Sequence, residues 1–331
     1  MTVRQGSTRR AFAAGTLGTA LLAGTGARAQ AYPARPVTII VPFAAGGPSD
    51  AIARLIGQSM STTLRQPFIV ENTAGAGGTV GAARLGKADP DGYTLLIHHI
   101  ALLAGAFLYK RLSYDAQRFE TIGLVNQGPM MLVGRKDLPA ATARDLFADL
   151  KRAPDKLTLA HAGIGSNAHL CLLLLQQALG IKITDVAYRG TGPAMNDVIG
   201  GQVDLLFDQS TTAVPQVQAG SVKPYAVTSI RRLDVVPDLP TMREAGLADY
   251  DFTVWHGLYA PPGTPPATVA TLNEALRTAL AEPAIQARFA AFGTQLYPEA
   301  ERSTEAHHRL FDRDYALWRD VIGKSGAAAT E

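Results

Sequence analysis

The segment Val41-Pro42-Phe43-Ala44-Ala45-Gly46-Gly47-Pro48-Ser49-Asp50 sets two glycines and a proline between an apolar run and an amphipathic one. Gly46 and Gly47 let the backbone approach a ligand closely, and Pro48 suits the first position of a helix. Free N–H groups at such a helix start favour an anion. The same residues also read as a plain βα turn in which Ser49 or Asp50 caps the helix. A second loop, Ala160-His161-Ala162-Gly163-Ile164-Gly165-Ser166-Asn167-Ala168-His169, repeats the form with Ser166 and Asn167 as candidate caps. Two half-sites of this kind, roughly 120 residues apart, are what a small anion clamped between two α/β domains requires.

Other motifs exclude more than they assign. Gly75-Ala76-Gly77-Gly78-Thr79-Val80-Gly81 has a dinucleotide-like spacing, but the acids that follow, Asp89 and Asp91, precede the next strand instead of ending it. Neither half-site contains a Gly-x-Ser-x-Gly elbow or a closing Gly-Lys-Ser/Thr. The histidines, His98, His99, His161, His169, His256, His307 and His308, have no metal-ligand spacing. No metal, cofactor or catalytic residue is therefore expected, and the enzyme alternative lacks a base–nucleophile pair. His98 and His99 are adjacent at a strand end, so their side chains point to opposite faces and only one can enter a cleft. His307 and His308 are expected to be solvated. Cys171, within a leucine run, is expected to be a buried and unreactive thiol.

These loops need strands and helices to hold them. Apolar runs at 37–41, 68–70, 94–97, 157–160, 184–188, 203–207 and 225–228 read as short strands, with helical patterns between most of them. The alternation predicts α/β architecture, mostly parallel sheets flanked by helices. Leu272, Leu276 and Leu280 share a helix face, Pro283 begins another segment, and Phe311, Tyr315, Trp318 and Ile322 mark a last helix. The extended stretches 130–133 and 252–259 have no local partner and are candidate crossovers between domains.

Residues 1–31 differ from the rest. Arg4, Arg9 and Arg10 precede a small, apolar stretch and an Ala27-Arg28-Ala29 cleavage pattern, which reads as a signal peptide. Arg9-Arg10 suggests the twin-arginine route. The segment holds four arginines and no acid, so the formal +3 of the whole chain becomes about −1 without it. The basic balance thus gives no support to a nucleic-acid partner. No later stretch is apolar for long enough to insert directly into a membrane.

Taken together, several segments resemble the Bug family, the solute receptors of tripartite tricarboxylate transporters. They are Tyr32-Pro33-x-Arg35-Pro36, Val41-Pro42-Phe43-x-x-Gly46-Gly47, Val70-Glu71-Asn72 with Gly75-x-Gly77-Gly78, and Pro90-Asp91-Gly92-Tyr93-Thr94-Leu95. Gly163-x-Gly165-Ser166, Tyr188-Arg189-Gly190, Asp238-x-Pro240-Thr241 and Trp255-x-Gly257 follow in order. The resemblance implies a two-domain periplasmic-binding-protein fold that closes on a ligand in the interdomain cleft. The expected division is 1–31 signal peptide, 32–128 plus 256–331 domain 1, and 129–255 domain 2. It implies a monomeric periplasmic receptor that hands a small carboxylate, dicarboxylate or aromatic, to the transporter's membrane subunits, or in a sensory variant to a sensor kinase. The expected ligand contacts are Phe43, Ala44, Gly46, Gly47, Ser49, His98, His99, His161, Gly163, Gly165, Ser166, Tyr188 and Asp208. His98-His99 and His161 stand where the family commonly has small residues or serine.

Overall fold

β-Branched residues fill the first strand, β1 (Val37–Val41), as suits a strand buried on both faces. It leads into α1 (Pro48–Leu64), which buries Ile52, Ile56 and Met60 on one face. β2 (Phe68–Asn72), α2 (Thr79–Gly86), β3 (Thr94–His99) and α3 (Ala101–Leu108) complete a first βα run. α3 is apolar on all sides, so no stripe in the sequence marks it as a helix. A long strand, β4 (Glu120–Gly134), then leads through α4 (Ala143–Arg152) into β5 (Thr158–His161), α5 (Asn167–Leu179), β6 (Thr184–Ala187) and α6 (Thr191–Ile199). β7 (Leu205–Gln209), α7 (Ser210–Gln218) and β8 (Lys223–Val227) end the second run. β9 (Thr253–Ala260), α8 (Pro266–Ala281), α9 (Pro283–Ala291), β10 (Gln295–Leu296) and α10 (Thr304–Ser325) finish the chain. The computed structural model describes residues 32–325; the expected signal peptide, residues 1–31, lies outside the described residues.

The strands lie in the order β2-β1-β3-β9-β4-β7-β5-β6, with β10 and β8 also paired to β4. Within each βα run the pairing is parallel, as alternation predicts: β1 with β2 and β3, and β5 with β6 and β7. The join is antiparallel. β4 pairs with β9 from Glu120 to Pro129, then with β7 and β8 from Met130 to Gly134. One strand thus serves both halves of the fold, and its partners change between Pro129 and Met130. Thr228 fastens this crossing: its hydroxyl accepts from Met130 N at 2.9 Å and donates to Phe252 O at 2.6 Å.

The largest apolar cluster runs through both halves, with Ile40, Leu96, Leu132, Leu159 and Leu205 among its members, and two smaller ones flank it. Ile39, Ile56, Leu95, Leu276 and Phe289 belong to one buried cluster, where α1, α8 and α9 cover the first strands. Val133, Ala160, Val198 and Leu206 belong to another, beneath α6 and α7. The halves are pressed together closely enough that the chain from Tyr32 onward forms one compact unit.

The last helix corrects one expectation. His307 is fully buried, with its ring against Tyr259 at 4.7 Å and Trp255 at 5.8 Å. Gly257 leaves the space it occupies. His308 is exposed and faces Asp312 at 3.4 Å. His307 lies one turn before Phe311 and so belongs to the apolar stripe of α10. Cys171 is fully buried, and burial pushes its thiol well up from the usual value.

Candidate functional site

Four helices begin at one cavity. Pro48 and Ser49 open α1, Asn167 and Ala168 open α5, Thr191 opens α6, and Gln209 is the residue before α7; all six line a small cavity of about 30 Å³. Phe43, Ala44 and Gly47 of the first loop, His99 of β3, Met130 of β4 and Asp208 of β7 complete much of the wall. Among the described residues no lysine or arginine lines it. The positive potential there comes from helix N-termini, where unpaired N–H groups sum to about half a charge per helix.

The sequence makes these ends converge. Gly47, in extended conformation, is the N-cap of α1 and makes no side-chain cap bond, with Pro48 behind it. Asp50, one of the two expected caps, instead reaches back to accept from Gly46 N at 3.1 Å, and it is bonded by Arg54 and Asn72. Burial pushes its carboxyl up, but those hydrogen bonds and the Arg54 charge outweigh burial and hold it below the usual carboxylate range. Its charge is therefore already compensated. Ser166 caps α5, accepting from His169 N at 3.3 Å.

Several polar atoms at the cavity are buried without a hydrogen-bond partner. They are Asn167 Oδ1, Thr191 Oγ1, Asp208 Oδ1 and Gln209 Nε2. Unpaired buried groups of this kind are rare in folded proteins and point to a missing ligand or water. Asp208 is 1% exposed, and its Oδ2 accepts from Thr212 Oγ1 at 2.5 Å. Burial raises its carboxyl to about 6, even though Thr212, Thr191 and the Gln209 backbone favour the ionised form.

One wall is aromatic. His99 stacks on Phe43 with ring centres 5.0 Å apart, and His98 and His256 stand edge-on to His99 at 5.0 and 5.3 Å. His99 Nδ1 accepts from Ala101 N at 3.2 Å, which leaves Nε2 to carry the proton of the neutral ring. Burial, followed by the neighbouring His98 and His256, pushes His99 well down from its ordinary value. His256 lies behind the wall with Nε2 3.0 Å from Ser49 Oγ, and burial lowers it to about 3.

Seven of the thirteen expected ligand residues line the cavity: Phe43, Ala44, Gly47, Ser49, His99, Ser166 and Asp208. The other six lie off it. Gly46 supplies the φ +84 turn before α1. His98 turns to Gly78, and its Nδ1 accepts from His99 N at 2.8 Å. His161 is turned away to Asp185 at 2.9 Å. Gly163 packs on Gly77, Gly165 N donates to His169 Nδ1, and Tyr188 OH donates to Asp197 at 2.5 Å. Sequence reasoning missed Pro48 and Asn167 as wall residues, though both stand in loops it had singled out. It missed Met130, Thr191 and Gln209 altogether. The Gly190-Thr191-Gly192-Pro193 turn, another strand-to-helix loop, was the available signal for Thr191.

Two α/β halves joined by crossing strands, with a cavity at the facing loop ends, define a periplasmic binding protein. A family model described as "Tripartite tricarboxylate transporter family receptor" matches residues 52–326, and the chain belongs to that family. Among curated relatives, the "UPF0065 protein in the TAR-I ttuE-ttuC' intergenic region" of Agrobacterium vitis is 48% identical over 302 residues, covering 91% of this chain and 87% of its own. The solved structure of the periplasmic binding protein BugD is 42% identical, with a TM-score of 0.88 over 90% of this chain and all of its own. MatC from Rhodopseudomonas palustris, solved with bound malate, is 39% identical, with a TM-score of 0.84 over 88% of this chain and all of its own. The family, the fold and the solute-receptor function read from the sequence are thereby established.

Proposed function

We propose that this receptor captures a small carboxylate, in the size range of a four-carbon dicarboxylate, in the cavity framed by α1, α5, α6 and α7. The observation that carries the reading is the convergence of four helix N-termini, without a cationic side chain, on buried polar atoms that have no protein partner. Oriented N–H groups in a water-poor cleft can hold an anion as firmly as a lysine would, and without the cost of ordering a long side chain. The malate in the related MatC structure supports the same ligand class.

Phe43, Ala44, Gly47, Ser49 and His99 are proposed to contact the ligand from one side, and Ser166, Asn167, Thr191, Asp208 and Gln209 from the other. On this reading residues 32–128 plus 256–331 form one lobe and 129–255 the other. They turn about the β4–β9 crossing to open and close. The protein works in the periplasm as a monomer, delivered there by the segment 1–31, and passes its ligand to the membrane subunits of a tripartite transporter. It has no catalytic task.

A thermal-shift screen of the purified mature chain against a carboxylate library tests this. A ligand that binds only the folded state raises Tm by mass action. Malate, succinate or a related acid is expected to do so, with single-site calorimetry confirming it. A screen in which nucleotides or divalent metals raise Tm and no carboxylate does would overturn the proposal.

A further inference from the structure

We propose that Asp208 meets the bound carboxylate as a neutral carboxylic acid, donating its own proton, so that each ligand is captured together with one proton. This rests on the carboxylate reading above and assigns the role of one residue within that site.

The geometry leads to it in three steps. Asp208 lines the cavity and is 1% exposed; its Oδ2 accepts from Thr212, Thr191 also lies close enough to favour its ionised form, and Oδ1 accepts no well-formed hydrogen bond. Oδ1 is thus the atom free to meet a ligand. No lysine or arginine in the wall could neutralise an ionised Asp208 beside an anionic ligand. Two carboxylates at hydrogen-bond distance in a buried site cannot both stay ionised, and they hold one proton between them. Burial has already moved the Asp208 carboxyl toward neutrality, to about 6, so little free energy is needed to protonate it near neutral pH.

The surrounding charged groups do not offer another source for that proton. From α1, Asp50 faces the cavity and is held ionised by Arg54. From β3, His99 lines the wall as a neutral ring. On β5 and α5, His161 and His169 are engaged by Asp185 and by Gly165 N. On α6, Asp197 accepts from Tyr188. β4 contributes Met130 and Met131 beside Asp208, and α7 carries no charged residue.

Calorimetry separates this from its rivals. Wild-type protein is titrated with succinate and with malate at pH 7.5 in buffers of differing ionisation enthalpy, and the affinity is followed from pH 6.5 to 8.5. Uptake of about one proton per ligand is expected, with Kd rising roughly tenfold per pH unit. In D208N, which keeps the shape and supplies an amide donor, the uptake should vanish and the affinity should no longer vary with pH. Binding with no proton uptake by the wild type overturns the inference and leaves the receptor reading intact. Uptake that persists in D208N also overturns it and moves the proton to His99. A preference for amino acids, with D208N losing them, means that Asp208 stays ionised to pair an ammonium group. Absence of heat and of a Tm shift with every carboxylate removes both readings together.

Discussion

The backbone N–H of Ala44 donates to the carbonyl of Arg189 at 3.0 Å, tying the loop after β1 to the loop before α6 across the mouth of the cavity. Glycines make so close an approach possible. A Cβ on Gly190 would sit 2.8 Å from Ala44 N, one on Gly192 would collide with Ala45 O, and one on Gly77 with Ile164 O. Tyr109 adds a hydrogen bond to Ile164 O at 2.8 Å. The loops that frame the cavity are thus latched backbone to backbone.

Gly192→Ala should therefore hold the lobes apart. Gly192 lies in α6 at an ordinary helical position, so the substitution leaves each half able to fold. Small-angle scattering is expected to show no compaction on adding malate, with affinity at least tenfold weaker. Normal compaction would mean that the latch tolerates the extra methyl.

Ser166 carries two tasks, as the cap of α5 and as part of the cavity wall. Ser166→Ala should cost about 1 kcal/mol of stability through the lost cap. It should also weaken ligand binding by about 1–2 kcal/mol through the lost hydroxyl. Urea unfolding and calorimetry read the two losses separately, and an unchanged affinity would remove Ser166 from the contact set.

Thr228→Val tests the crossing. It removes both hydrogen bonds of a fully buried hydroxyl and leaves Met130 N and Phe252 O without those partners. A loss of about 2–4 kcal/mol in urea unfolding is expected. A loss below 0.5 kcal/mol would show that the crossing closes up without it.

Buried neutral histidines should make the protein acid-labile. His98, His256 and His307 are lowered to about 3 and His169 to about 4, in each case chiefly by burial. Their folded values lie below the unfolded one near 6.5, so the unfolded chain binds more protons as pH falls. The stability they protect is present above pH ~6.5 and is lost as pH drops toward 3–4, by up to about 1.4 kcal/mol per pH unit for each ring. Asp208 works in the opposite sense, since its raised value favours the folded state as pH falls through 6. With His99 also pushed well down, it is one group against five, so Tm should fall steadily between pH 6.5 and 4.5. A flat profile would mean that these rings titrate normally.

The two glycine loops were legible because glycine before a helix start is a local signature, and both deliver residues to the cavity. Parallel pairing at each end of the sheet followed from strand–helix alternation, a local property too. The role of β4 was only half legible. Its 130–133 stretch stood out as unpartnered, but nothing local shows that 120–129 belongs to the same strand. Met130 reaches the cavity through the long-range pairing of β4, which its own neighbours in sequence do not show, whereas Thr191 follows a glycine turn and Gln209 adjoins the expected Asp208. His161 illustrates the converse. It stands in the right loop, yet Asp185 on the neighbouring strand takes its ring elsewhere.

The placement of β9 constrains the order in which the chain can fold. β9 lies between β3 and β4, antiparallel to both, so the first strands cannot join β4 until residue 260 has been made. The second βα run, by contrast, is contiguous from β4 to β8 and needs nothing from the C-terminal third to pair its strands. The junction between the first βα run and β4 is accordingly the last part of the sheet to close. Until then the edge of β3 that β9 will cover stays open to other strands.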